Sequence, residues 1–131
     1  NKKRNMEFCT AINCMDGRVQ QPVIEFMKKR FRAQNVDLIT EAGPNRILAE
    51  QHSETTIQSI FQRVDISVSA HKSKVLAVVG HYDCAGNPVG KEEQVKQISS
   101  AIQFLRDKYP RIIIIGLWVN EKWEVEELTS E

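Results

Sequence analysis

His81 and Cys84 stand three residues apart, just after a β-branched run, and a turn there lets an imidazole nitrogen and a thiolate converge on one ion. Cys14, which also follows a short apolar run, can supply a second thiolate from a neighbouring strand end. Two thiolates and an imidazole suit zinc, and three protein ligands leave the fourth tetrahedral position open, as catalysis requires. Asp16 and Arg18 follow Cys14 by two and four residues, close enough for a guanidinium fork to fix the carboxylate. That pair can orient whatever holds the fourth position. In the alternative, Asp16 takes the position itself and Arg18 is the latch that draws it away. The spacing leaves both arrangements open.

Zinc lowers the pKa of a bound water from about 16 to about 7 in favourable sites, which yields a nucleophile for an electrophilic carbon. Two thiolates offset the ion's formal double charge, so the acidification is weaker than in a site of three histidines. Activity is therefore expected to rise toward alkaline pH. A pH profile already saturated below neutrality would contradict this.

Such a centre needs strands that end side by side. Phe8 to Asn13 reads as a strand running into the loop Cys14 to Arg18. Pro22 suits a first helical turn, and Val23, Phe26, Met27 and Phe31 then recur at helical spacing, so a helix is expected to about Gln34. Val36 to Thr40 reads as a second strand, broken by turn chemistry at Ala42 to Asn45. Between Ser53 and His71, Ile57, Ile60, Phe61, Val64 and Val68 share one helical face, with Ile66 off it. Val75 to Val79 is a continuous apolar strand, of the kind covered on both faces.

Val95, Ile98, Ile102 and Leu105 mark another helix, with Glu92 and Glu93 near its start and Arg106 and Lys108 near its end to suit its dipole. Ile112 to Ile115 reads as a further doubly covered strand, and Trp123 and Val125 alternate with Glu124 and Glu126 as in a last edge strand. Strands alternating with helices imply an α/β fold, a mostly parallel sheet flanked by helices. In such sheets ligands gather at the carboxyl ends of strands where the strand order reverses, and both polar clusters leave strand carboxyl ends.

At 131 residues the chain fits one domain, 1–131, long enough to bury roughly two thirds of its unfolded surface without a disulfide framework. Lys plus Arg is 18 and Asp plus Glu is 17, so no overall field draws in nucleic acid or a membrane surface. The charges collect at Lys2, Lys3 and Arg4 and at Glu121, Glu124, Glu126, Glu127 and Glu131, which reads as solvated ends. No apolar stretch approaches the roughly 20 residues of a spanning helix. No signal peptide is visible, and three cysteines without an export signal point to reduced thiols in the cytoplasm.

The two motifs, Cys14-Met15-Asp16-Gly17-Arg18 and His81-Tyr82-Asp83-Cys84, resemble the zinc and dyad signature of the β-class carbonic anhydrases. Ala42-Gly43, Val78-Val79-Gly80 and Gly116 to Val125 resemble that family's framework, so the resemblance covers most of the chain. It implies a Zn2+ enzyme interconverting carbon dioxide and bicarbonate, with Cys14, His81 and Cys84 as metal ligands and Asp16 with Arg18 as the catalytic dyad. It also implies a homodimer or higher homo-oligomer with the site near the interface. The chain departs from the family pattern at Gly17, at Thr40-Glu41 and at Ala85, which separates Cys84 from Gly86, and little sequence precedes Phe8 to form a wrapping arm.

Other residues take plainer readings. Cys9 reads as a small buried hydrophobe, His52 and His71 as packed or exposed, Asp83 as a turn former and Tyr82 as packing. Lys28, Lys29, Arg30 and Arg32 read as the wet face of the first helix. Gly86 to Lys91 falls one residue short of a phosphate-binding loop, and Glu92 replaces the hydroxyl that loop needs. The rival functions are a zinc hydrolase of a carbon dioxide analogue, such as carbonyl sulfide or carbon disulfide, and a zinc-stabilised binding module without turnover.

Overall fold

A computed structural model describes residues 6–128 of the chain. Lys2, Lys3, Arg4 and Glu131 lie outside the described residues. A five-stranded sheet runs in the order β2-β1-β3-β4-β5, built from β1 (Met6–Cys14), β2 (Ala33–Glu41), β3 (Val75–His81), β4 (Ile113–Val119) and β5 (Val125–Leu128). The first four strands pair in parallel, and β5 returns antiparallel to β4 as an edge strand. The α/β reading holds, with its C-terminal edge strand.

The helices are α1 (Gln20–Phe31), α2 (Pro44–Glu50), α3 (Glu54–Asp65) and α4 (Lys91–Lys108). Alternation along β3 divides the core. Leu76 and Val78 join Ile60, Ile98 and Leu105 beneath α3 and α4, whereas Val75, Ala77 and Val79 join Val23 and Met27 beneath α1. β3 is buried along its whole length, as its continuous apolar run requires.

The elements depart from the sequence reading at places with physical causes. α1 stops at Phe31 rather than near Gln34 because Arg32 adopts a left-handed backbone, φ 54°, and β2 begins at once at Ala33. The turn chemistry at Ala42 to Asn45 opens a helix: Gly43 sits at φ 67° and Pro44 takes the first helical position of α2. α3 continues through one wide turn over Ile66–Ala70, which leaves Ile66 57% exposed and accounts for its place off the apolar face. β4 starts one residue later and runs to Val119. Its first residues are not doubly covered, since Ile113 is 56% exposed on the side where α1 does not reach. Trp123 is not part of β5 but of the turn before it. Among the described residues no helix is long and apolar enough to cross a membrane.

Strand order reverses between β1 and β3, because β2 lies on one side of β1 and the chain then crosses to the other. Cys14 ends β1 and His81 ends β3, so the switch point carries the candidate ligands.

Candidate metal centre at the switch point

Side-chain hydrogen bonds to the backbone shape the loops that carry the site. At the end of β1, Asn13 accepts from the Cys14 N–H at 3.0 Å and donates to the Val19 carbonyl at 3.2 Å. Gln20 donates to the carbonyls of Cys14 and Asp16, both at 2.7 Å, which fixes the loop between them. Asp16 then caps a single 3-10 turn, Gly17–Val19, by accepting from the Arg18 N–H at 2.9 Å.

Beyond β3, Asp83 turns the chain back at φ 60°, which returns Cys84 toward the strand it has just left. Gly86 packs so closely on Ala42 that an added Cβ would lie 2.8 Å from it, so the Cys84 loop is braced against the loop after β2. Gln94 of α4 clamps the His81 peptide from both sides, accepting from its N–H at 3.1 Å and donating to its carbonyl at 2.9 Å. Gln94 belongs to a buried amide group with Asn45, Asn87 and Gln97. A Cβ on Gly80 would meet Gln94 Oε1 at 2.9 Å, so that strand residue must be glycine for the clamp to close. Replacing Gln94→Leu leaves two buried backbone groups without partners, and denaturant unfolding is expected to show a loss of about 3 kcal/mol; an unchanged midpoint would count against the clamp.

The structure brings Cys14, His81 and Cys84 together. Their candidate ligand atoms lie within 4.8 Å of one another, all three residues are buried, and the two sulfurs are 3.8 Å apart. His81 Nδ1 donates to the Tyr82 carbonyl at 2.7 Å, which fixes the tautomer and leaves Nε2 buried with no hydrogen-bond partner. A buried imidazole nitrogen beside two thiols, with its other nitrogen already committed to a carbonyl, is the arrangement of a metal-binding histidine.

Electrostatics point the same way. A hydrogen bond from the Cys84 thiol draws the Cys14 thiol down to about 4, against the effect of burial, and the same contact pushes Cys84 up. Burial works against a charged His81, but the Cys14 sulfur and the Tyr82 carbonyl outweigh it and hold its pKa above the usual imidazole value. One negative charge forms readily between the sulfurs, a second is opposed by the first, and the charge on Cys14 makes the imidazole more basic. The three groups together fit a cation in their midst, and binding one releases protons.

Asp16 is not one of the three convergent groups. Both of its oxygens are taken by Arg18, Oδ1 from Nε at 3.0 Å and Oδ2 from Nη2 at 2.7 Å. That fork holds the Asp16 carboxyl down at about 2. In this structure Arg18 retains Asp16. A cleft of about 830 Å³ opens beside Cys84, walled by Tyr82, Pro88, Val89 and Trp118, with Lys91, Lys122 and the carboxylates of Glu121, Glu124 and Glu126 on its polar side.

Cys9 is fully buried, and burial pushes its thiol up to about 11, so it is an inert core residue. His71 pairs with Asp37 at 2.6 Å and stacks on Phe8. His52 is exposed, and so are Lys28, Lys29 and Arg30. Asp83 forms the expected turn and, in addition, accepts from Arg18. The sequence reading missed Gln20, Gln94 and Trp123. Gln94 carried one signal, since it falls four residues before Ile98 on the buried stripe of α4.

The chain is similar in fold to solved β-carbonic anhydrases. One of two tetrameric enzymes from the filamentous ascomycete Sordaria macrospora superposes with a TM-score of 0.62 at 14% identity, covering 95% of this chain and 82% of that one. A variant of the β-carbonic anhydrase CafD of Aspergillus fumigatus gives 0.61 at 12% identity, covering 98% and 91%. A search of curated proteins finds no match to this sequence. The model of the family described as "Putative carbonic anhydrase" matches residues 4–129, nearly the whole chain. With that match along its length, and the strand order that carries Cys14 and His81 to one switch point, the chain belongs to this carbonic anhydrase family and has the β-carbonic anhydrase fold.

Proposed function

We propose that this chain, acting as a single domain, is a zinc-dependent carbonic anhydrase that interconverts carbon dioxide and bicarbonate. In this reading Cys14, His81 and Cys84 hold the metal, and Asp16 with Arg18 is the dyad. The observation that carries it is the unpartnered, buried His81 Nε2 beside two sulfurs 3.8 Å apart at the strand switch point. Zinc held there supplies the Lewis acidity that turns water into a nucleophile near neutral pH.

The chain's own residues do the positioning. Asp16, kept ionised down to about pH 2 by Arg18, accepts a hydrogen bond from the nucleophile and so aims a lone pair at the substrate carbon. Arg18 satisfies both carboxylate oxygens, which restrains Asp16 from turning onto the metal. The apolar walls of the cleft suit carbon dioxide.

A homodimer or larger homo-oligomer is part of the proposal, supported by the tetrameric assembly of a protein of the same fold. A cytoplasmic location is also part of it, supported by three free cysteines, two of them in the proposed centre. The test is stopped-flow hydration of carbon dioxide by zinc-loaded protein. Catalysed hydration that strengthens toward alkaline pH is expected. Bound zinc without hydration at any accessible pH would transfer the site to a hydrolase of a carbon dioxide analogue or to a silent zinc module.

A further inference from the structure

Arg18 is 45% exposed at its side chain, and an exposed ion pair does little by itself to fix a long side chain against water. Here, however, the guanidinium is held from three directions. Asp16 takes it bidentately from the β1 loop. From the β3 loop, Asp83 accepts from Nη1 at its carboxylate, 3.3 Å, and from Nη2 at its backbone carbonyl, 3.0 Å. From the turn between β4 and β5, Trp123 lays its ring under the guanidinium carbon at 4.4 Å from centroid to Cζ. Tyr82 in turn packs edge-on against Trp123, with ring centroids 6.3 Å apart.

The backbone marks the same two residues. Asp83 and Trp123 both lie in the left-handed region, at φ 60° and 61°. Asparagine, aspartate and glycine tolerate that region, but a bulky tryptophan there is an outlier. The Trp123 turn is held by its N–H donating to the Asn120 carbonyl at 2.9 Å and by Asn120 accepting from the N–H groups of Lys122 and Glu124. Strain of this kind persists only where surrounding structure imposes it, and it gathers at functional sites. Of the five described non-glycine residues with positive φ, Arg32, Gln51, Lys72, Asp83 and Trp123, the last two hold Arg18.

We propose that Trp123 and Asp83 are positioning residues that lock Arg18 onto Asp16, so that the β4–β5 hairpin turn completes the dyad from the far end of the chain. The carboxylate of Asp83 is a second acceptor for the same guanidinium. The stack on Trp123 fixes the plane in which Nε and Nη2 both face Asp16. Without the ring, Arg18 is free to swing out of that plane into solvent.

The inference rests on the proposed dyad for its effect on turnover, but the lock itself is measurable without catalysis. In zinc-loaded protein, the Arg18 Nε–H resonance is expected to be shifted by the ring current of Trp123 and protected from exchange. Trp123→Leu should abolish both features, and Trp123→Phe, which keeps an aromatic face, should restore most of them. Trp123→Gly accepts the left-handed backbone without strain and serves as a second variant that keeps the turn.

In carbon dioxide hydration, the Leu and Gly variants should lose about tenfold in kcat with KM and zinc content held, while the Phe variant stays near the parent. An Arg18 resonance identical in the parent, Leu and Gly proteins would overturn the lock, as would an unchanged kcat in an active parent. A parent that hydrates no carbon dioxide yet shows the resonance change would instead sink the carbonic anhydrase reading and leave the lock standing.

Discussion

His81→Ala is expected to lower metal affinity by more than about 100-fold and to abolish activity while leaving the fold recognisable. Loss of an outer partner of a metal ligand already costs about 10- to 100-fold. Loss of the centre's one imidazole should cost more, because the two remaining thiols oppose each other's ionisation and would be the only protein ligands left of the three. His81 is fully buried, so truncation also opens a cavity at the end of β3. Metal analysis after dialysis, with circular dichroism as the control for folding, reads the result. A variant that retains stoichiometric metal would show that His81 is not a ligand.

The second large effect is expected at Arg18. Arg18→Ala should keep the metal, since it touches none of the three convergent groups, yet lower turnover by about 100-fold through the misplaced Asp16 carboxylate. The pH dependence has a definite sign. Arg18 holds the Asp16 pKa below its ordinary value, so the charge of Asp16 persists as pH falls to about 2. Without Arg18 that pKa moves back up toward the ordinary carboxylate value. The stabilising contribution of the pair is present above the ordinary carboxylate range and lost as pH falls through about 2, and at this exposed position it is small. Full activity in Arg18→Ala would remove the dyad from the mechanism.

The centre was legible because its chemistry lies in short spacings. His81 and Cys84 are joined by a turn, Cys14 and Asp16 by a loop, and the runs Phe8 to Asn13 and Val75 to Val79 read as strands whose ends can meet. What was illegible depends on partners distant in sequence. Trp123 alternates with its neighbours as an edge strand would, and nothing local tells that the chain turns there at φ 61° to place the ring under Arg18. Gln94 is polar on a buried stripe, which reads as a break in the apolar pattern until the His81 peptide it clamps is seen.

The errors in the elements have the same origin. α2 spans seven residues, too few for a periodic signal, and was visible only as its opening glycine and proline. The end of α1 depends on Arg32 taking a conformation that glycine usually takes, so no stop signal appears in the sequence. The exposed start of β4 reflects which helix covers which face, a property of the packed sheet rather than of the isoleucine run itself.

The most direct test is zinc stoichiometry joined to X-ray absorption on protein purified under reducing conditions. The account predicts one zinc per chain, with two sulfur neighbours at about 2.3 Å and lighter atoms at about 2.0–2.1 Å completing four-coordination. Reduced protein that carries no zinc and takes up none when it is supplied would contradict it.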